Sequence, residues 1–148
     1  MPIFRRILHA SDFSSASRAA FRKAVELAKA SRGSLLIAHV LPTLPVMADA
    51  YVAATIYEEL LRGQRAAGKK QLDRLVAAAR TAGARASGIL LDFGVPAERI
   101  VRLARAKRAD LIVMGTHGRT GFKRAVMGSV AARVVALARC PVLTVRGR

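Results

Sequence analysis

The chain has one cysteine, no tryptophan and, in 148 residues, only 9 acidic side chains. With Cys140 alone, an internal disulfide is impossible, so a hydrophobic core has to hold the fold and the compartment is left as reducing or undetermined. Aromatic residues make up 5%, too few for the stacking platforms that single-strand nucleic-acid binders interleave with their cations. No Asp or Glu follows Asp110, so the C-terminal part is purely basic. The opening Met-Pro-Ile-Phe-Arg-Arg lacks the apolar region of a secretory signal. Between Gly33 and Tyr57 the only charge is Asp49, but Pro42 and Pro45 interrupt the run. A strand followed by a loop explains it better than a membrane span. The expectation is a cytoplasmic protein without a membrane span.

What is present points to one domain over residues 1–148. A mass of 15.8 kDa with 53% hydrophobic residues suffices for a proper core. The outlying number is the formal charge of +17, from 26 Lys+Arg against 9 Asp+Glu. Such a balance suits polyanions, whether nucleotides, nucleic acid or an anionic membrane, and equally a merely solvated basic surface.

Along the chain, short apolar runs alternate with helical stripes. Ile3–Ala10 reads as a strand ending in Ser11-Asp12, and Asp12, Ser14 and Ser15 offer caps for the helix that follows. Ala20, Phe21, Ala24, Val25, Leu27 and Ala28 form its stripe, with Gly33 placed to end it. Ser34–Leu41 is a second strand and Pro42–Ala54 a loop. A long helix from near Thr55 to Ala82 has Ile56, Leu60, Leu72, Leu75, Val76 and Ala79 as its expected buried side. Gly63 and Gly68 invite a bend or break between them. Ala86–Asp92 is a third strand. Pro96 opens a third helix with Glu98 in its first turn. Asp110-Leu-Ile-Val-Met114 is a buried fourth strand, a further helix passes through Val130, Val134, Val135 and Leu137, and Pro141–Val145 is the fifth strand.

The resulting β-α-β-α-β-α-β-α-β order predicts an α/β fold: a doubly wound, five-stranded parallel sheet with helices on both faces. Strand orders 3-2-1-4-5 and 2-1-3-4-5 both satisfy that alternation. The first is expected, because it brings Asp12 beside the loop after the fourth strand, at a crevice between strands 1 and 4.

That loop carries the chemistry. Gly115-Thr-His-Gly118-Arg-Thr-Gly121 follows a strand, and Gly128-Ser129 opens a helix. Glycines let backbone approach an anion, and the first amides of a helix lack internal partners. The loop is not a Walker A sequence, since Ser129-Val130 follows Gly128, nor a dinucleotide fingerprint, since the first strand ends in Ala10-Ser11-Asp12.

Gly115-x2-Gly118-x9-Gly128-Ser129 resembles the ATP-binding pattern of the universal stress proteins, Gly-x2-Gly-x9-Gly-Ser/Thr. Asp110 to Gly121, Gly128-Ser-Val-Ala, Cys140-Pro-Val-Leu-Thr-Val and Ile7-Leu-His-Ala-Ser-Asp-Phe-Ser14 are similar to family sequence as well. The likeness covers the chain apart from Pro42–Ala54 and much of the next helix. It implies the Rossmann-like fold of the adenine nucleotide alpha hydrolases and a nucleotide-responsive stress or signalling protein acting mainly by binding. A slow ATPase or self-phosphorylating enzyme in the same pocket is the alternative. By position, Ala10, Asp12 and Val40 fall where the family surrounds adenine. Met114, Gly115, His117 and Gly118 fall at the ribose and first phosphates, and Gly128, Ser129 and Val130 at the phosphates. The implied cofactor is ATP, with Mg or Mn riding on the phosphates rather than on a protein cluster. No residue is assigned a catalytic role, and no metal ligand is identified in the chain.

Arg119, with Lys123 and Arg124, is placed to neutralise phosphate. His9 and His39 read as packing residues inside strands, and Cys140 as a small buried apolar residue. Pro141–Val145 is expected at the sheet edge, apolar and weakly charged, which is a pairing hazard for a monomer. A homodimer through that strand removes it, and the resemblance implies the same. Nucleic acid is not expected as a partner, because the chain has no recognisable base-reading motif.

Overall fold

A computed structural model describes residues 3–44, 50–117 and 126–147. Strands β1 (Arg6–Ala10), β2 (Ser34–Val40), β3 (Arg85–Leu91), β4 (Leu111–Gly115) and β5 (Val142–Val145) alternate with helices α1 (Ser15–Ser31), α2 (Ala50–Thr81), α3 (Pro96–Ala106) and α4 (Ser129–Leu137). The sheet order is β3-β2-β1-β4-β5, and every pairing is parallel. The expected 3-2-1-4-5 order is therefore the one adopted.

Alternation along β1 sends Ile7 and Leu8 to opposite faces, and each seeds a core. Ile7 packs with Ala20, Ala24 and Val25 of α1 and Leu72 and Val76 of α2. Leu8 packs with Ile100 and Leu103 of α3, Ile112, and Val134 of α4. β4 is buried at every position, as a strand covered on both faces must be.

Helix α2 departs from expectation at its start. It begins at Ala50, inside the stretch expected as a loop, and runs without a break past Gly63 and Gly68. Gly68 is buried where α2 crosses the sheet, and a Cβ there would lie 3.2 Å from Leu90 and 3.3 Å from Leu41. The small residue serves close approach, and the helix passes it without a break. Leu72, Val76 and Ala79 are buried, whereas Ile56 and Leu60 are 40% and 44% exposed. The cause is length. Thirty-two helical residues rise about 48 Å, while the seven-residue strand β3 spans about 23 Å. The first half of α2 therefore overshoots the sheet, and among the described residues its apolar stripe is left only partly covered.

Gly33 helps end α1 as expected, its amide donating to Ala28 O at 3.0 Å, but it does not hold the left-handed position. Arg32, at φ 53°, takes the left-handed position that ends α1. Gly33 lies against the β1 entrance, where a Cβ would stand 2.5 Å from the Phe4 carbonyl oxygen.

Candidate functional site

The register builds the site at the carboxyl edge. Ala10 pairs with Ala38 on one side and Met114 on the other. The chain leaves β1 at this level, and Ser11 donates its amide to Ala38 O at 2.9 Å. β1 then turns toward α1 while β4 turns toward α4, opening the crevice that a switch point produces. The cleft there holds about 270 Å³.

One wall is apolar, made by Ala10 of β1, Val40 of β2, and Pro96 and Ile100 of α3. The floor is Met114 and Gly115, both buried. Gly115 presses on α1, and a Cβ would meet His117 O at 3.2 Å and Ala16 O at 3.4 Å. The far side is the start of α4, with Gly128 as its cap residue and no side chain capping the helix. Helix geometry leaves the amides of Ser129, Val130 and Ala131 without intrahelical partners, and no acidic residue occupies that first turn. Together with the Ser129 hydroxyl they make an anion cradle beside an apolar slot.

Asp12 holds the β1–α1 turn. Its Oδ1 accepts from the Ser14 amide at 2.9 Å and the Ser14 hydroxyl at 2.5 Å. Ser14, not Asp12, caps α1, accepting from the Ser17 amide at 3.3 Å. Asp12 is half-buried and lines the cleft as well, so turn and cleft share it.

His117 closes the base of the glycine loop. Its Nδ1 accepts from Thr116 Oγ1 at 3.0 Å, and its Nε2 donates to Val126 O. The Gly128 amide donates to Thr116 O at 2.6 Å. Residues 116–117 and 126–128 are thus tied across the loop. Both ring nitrogens of His117 are occupied by the chain itself, which suits a clamp better than a proton carrier.

Ala10, Asp12, Val40, Met114, Gly115, His117, Gly128, Ser129 and Val130 all line this one cleft. Gly118 and Arg119, and with them Lys123 and Arg124, lie outside the described residues. Ser11, Ser17, His39, Pro42, Pro96 and Ile100 line it too and were not among the expected site residues. Pro96 and Ile100 come from a helix whose sequence signals only its start and its core stripe. His39 is buried in β2, where its Nδ1 donates to Ser11 O at 2.8 Å and its ring lies 4.1 Å from that of Phe13. Only the strand register could place it there.

His9 and Cys140 stay out of the cleft. His9 is fully buried, donates from Nδ1 to Val113 O at 2.9 Å, and is pushed down to about 4, chiefly by burial. Half-burial likewise holds the Cys140 thiol above its ordinary value, which makes it a poor nucleophile. Among the described residues no group of three His, Cys, Asp or Glu side chains could hold a metal. Among them, too, no helix is long and apolar enough to cross a membrane.

A doubly wound sheet with an anion cradle at its switch point defines a class of nucleotide-binding α/β domains, and the comparisons narrow it. The profile of the universal stress protein family matches residues 3–146, and the chain belongs to that family. A universal stress protein of Methanocaldococcus jannaschii is 35% identical over 145 residues, covering 97% of this chain and 83% of the relative. Universal stress protein UspA from Lactobacillus plantarum superposes with a TM-score of 0.84 at 27% identity, covering 96% of this chain and 97% of that one. A universal stress protein solved in complex with cAMP does so at 0.67 and 26%, covering 98% of each chain.

Proposed function

We propose that the chain binds an adenine nucleotide in this cleft and acts through the bound state. The observation that carries this is the juxtaposition of an apolar slot with the open amides of α4, at the one crevice between β1 and β4. A flat base fits between Ala10, Val40 and Ile100, while phosphates need the donors of Ser129 and Val130. The relative solved with cAMP supports an adenine ligand. The finer assignment is ATP, with Gly118 and Arg119 adding to the phosphate contacts. With no cluster among the described residues to hold it, a Mg or Mn ion would ride on the phosphates, screening their charge. In that arrangement Asp12 orients the ribose side, Ser129 and the α4 amides hold phosphate, and His117 keeps the loop base closed.

Calorimetric titration with ATP, AMP and cAMP, with and without Mg, tests the assignment. Binding is expected for the wild type and lost in Gly128→Val and in Val40→Trp, which fills the slot. Undiminished affinity in both variants would overturn it. ADP release above a heat-killed control would favour the slow ATPase instead.

We also infer a homodimer through β5. Each of its residues is half-buried, and α4 beside it exposes Val135 by 45% and Leu137 by 44%. An edge strand flanked by apolar side chains is stabilised by pairing with its own copy. Sedimentation is expected to give twice the chain mass, and Thr144→Pro to give the monomer; a monomeric wild type would refute the inference.

A further inference from the structure

A large share of the surplus positive charge is gathered at one edge of the sheet. Parallel strands all start at one edge of the sheet, and the returning helices all end there. Arg85 of β3 is level with Ser34 of β2, and Ser34 with Arg6 of β1. Arg5 precedes β1 by one residue and Arg139 precedes β5 by three, so both lie just beyond this row. These four arginines are exposed. The helix ends add Lys29 in the last turn of α1 and Arg32 after it, Arg80 in the last turn of α2, and Arg105 in the last turn of α3 with Lys107 and Arg108 after it, all exposed too.

Several of these side chains are braced on carbonyls rather than on carboxylates. Arg6 Nε donates to Arg108 O at 2.8 Å, Arg80 Nε to Ala86 O at 2.9 Å, and Arg85 Nη2 to Arg32 O. The ion pairs of the described residues are Lys23–Glu26, Arg65–Asp92, Lys69–Asp73 and Arg133–Glu98, and none involves this edge. Its acid, Asp110, already accepts from the amides of Arg5 at 2.8 Å and Arg6 at 3.1 Å.

The bland explanation is that the cations answer the helix dipoles. Its magnitude is insufficient. Four helix C-termini amount to about −2 charges in total. Adding Asp110 still leaves a surplus of about seven positive charges on this face, by the same measure.

We propose that this edge is a docking surface for the phosphate backbone of duplex nucleic acid, bound without sequence preference. Guanidinium forks match phosphate geometry, and the face is dominated by arginine. The five strands set a row about 19 Å wide, comparable to about six base-pair steps. Nothing there stacks on bases, since Phe4 packs into the core, so a single strand gains little. Backbone binding requires no base-reading motif, which the sequence lacks. Ile3, 82% exposed, is the large apolar side chain that the described residues show at this edge, whereas a membrane-seeking face adds an apolar surface to its charge. The surface lies opposite the cleft, so it stands or falls independently of nucleotide binding.

Fluorescence anisotropy of a labelled 20-base-pair duplex of arbitrary sequence, with the full chain, tests it. Affinity is expected to fall about a thousandfold between 50 and 200 mM salt, as for about six phosphate contacts. The quadruple variant Arg5→Gln, Arg105→Gln, Lys107→Gln, Arg139→Gln should weaken binding at least tenfold and flatten the log–log salt slope by about 3. A matched quadruple variant at Arg18, Arg22, Arg62 and Arg74 removes the same charge elsewhere and should change affinity less than threefold. Equal losses in the two variants, or no duplex binding at 50 mM salt, would overturn the proposal. So would binding to vesicles of one part phosphatidylserine to three of phosphatidylcholine in the absence of duplex binding. As a measurement free of substitution, hydrogen exchange of the wild type should show duplex protection at 4–6, 83–86 and 105–109; protection confined to the cleft would refute it.

Discussion

In the cleft at the edge where the strands end, the polar side chains Asp12, His39 and His117 are buried or half-buried and tied down. Asp12 holds a turn, His39 a carbonyl, and His117 the base of a loop. At the edge where the strands begin, cations are exposed and carry no ion pair among the described residues. Part of the difference follows from chain direction. Helix N-termini gather at the first edge and leave open amides, whereas helix C-termini gather at the second and attract cations. One edge is built as a shaped pocket for a small anion. The other is a broad, unshaped field suited to a polymeric one.

The glycines separate the two edges most sharply. Gly33→Val, at the basic edge, forces a Cβ to within 2.5 Å of a backbone oxygen and should cost about 3 kcal/mol in urea denaturation. Gly128→Val, with φ −60° and ψ 157° that any residue adopts, should cost only the poorer cap, about 1 kcal/mol, while abolishing nucleotide binding. If both variants lose stability alike, the division between folding glycine and ligand glycine fails.

Acid should weaken the centre of the sheet between the two edges. The folded-state pKa of His9, about 4, lies below its ordinary 6.5, so the unfolded chain binds the proton more tightly. Stability therefore rises with pH from about 4 to about 6.5 and levels off above, a span of about 3 kcal/mol. Denaturation at pH 7 and pH 4.5 should show the slope, and His9→Gln should remove most of it. An unchanged slope in the variant would place its origin elsewhere.

Smaller effects sharpen the cleft side. Ser14→Ala removes the α1 cap and the hydroxyl bond to Asp12 while leaving the amide bond, and should cost about 1 kcal/mol, with a small loss of nucleotide affinity. Arg133→Gln breaks an exposed pair with Glu98 and should shift stability by less than about 0.5 kcal/mol.

Most elements were legible because their signals are local. The stripe of α1, Pro96 and Glu98 at the start of α3, and the unbroken apolar run of β4 each sit within a turn or two of chain. Sequence misjudged α2 because a stripe reports which face of a helix is apolar, not whether anything lies opposite it. Ile56 and Leu60 fit the pattern and are exposed, since the sheet stops short of them. Gly68 invited a break for a similar reason: propensity weighs a glycine alone, and its neighbours Leu41, just past β2, and Leu90 of β3 are distant in sequence.

The order of amino acids by itself determined that strands and helices alternate, that the sheet is parallel, and that a glycine loop leads into a helix opening on Gly128-Ser129. Family membership rests on those same residues. Only the tertiary structure decided which residues meet. Pro96, Ile100 and His39 reach the cleft through the 3-2-1-4-5 winding, and Arg6, Arg85 and Arg139 line one edge through parallel register. Periodicity is a property of neighbours along the chain, whereas a pocket or a charged face is a property of neighbours in space.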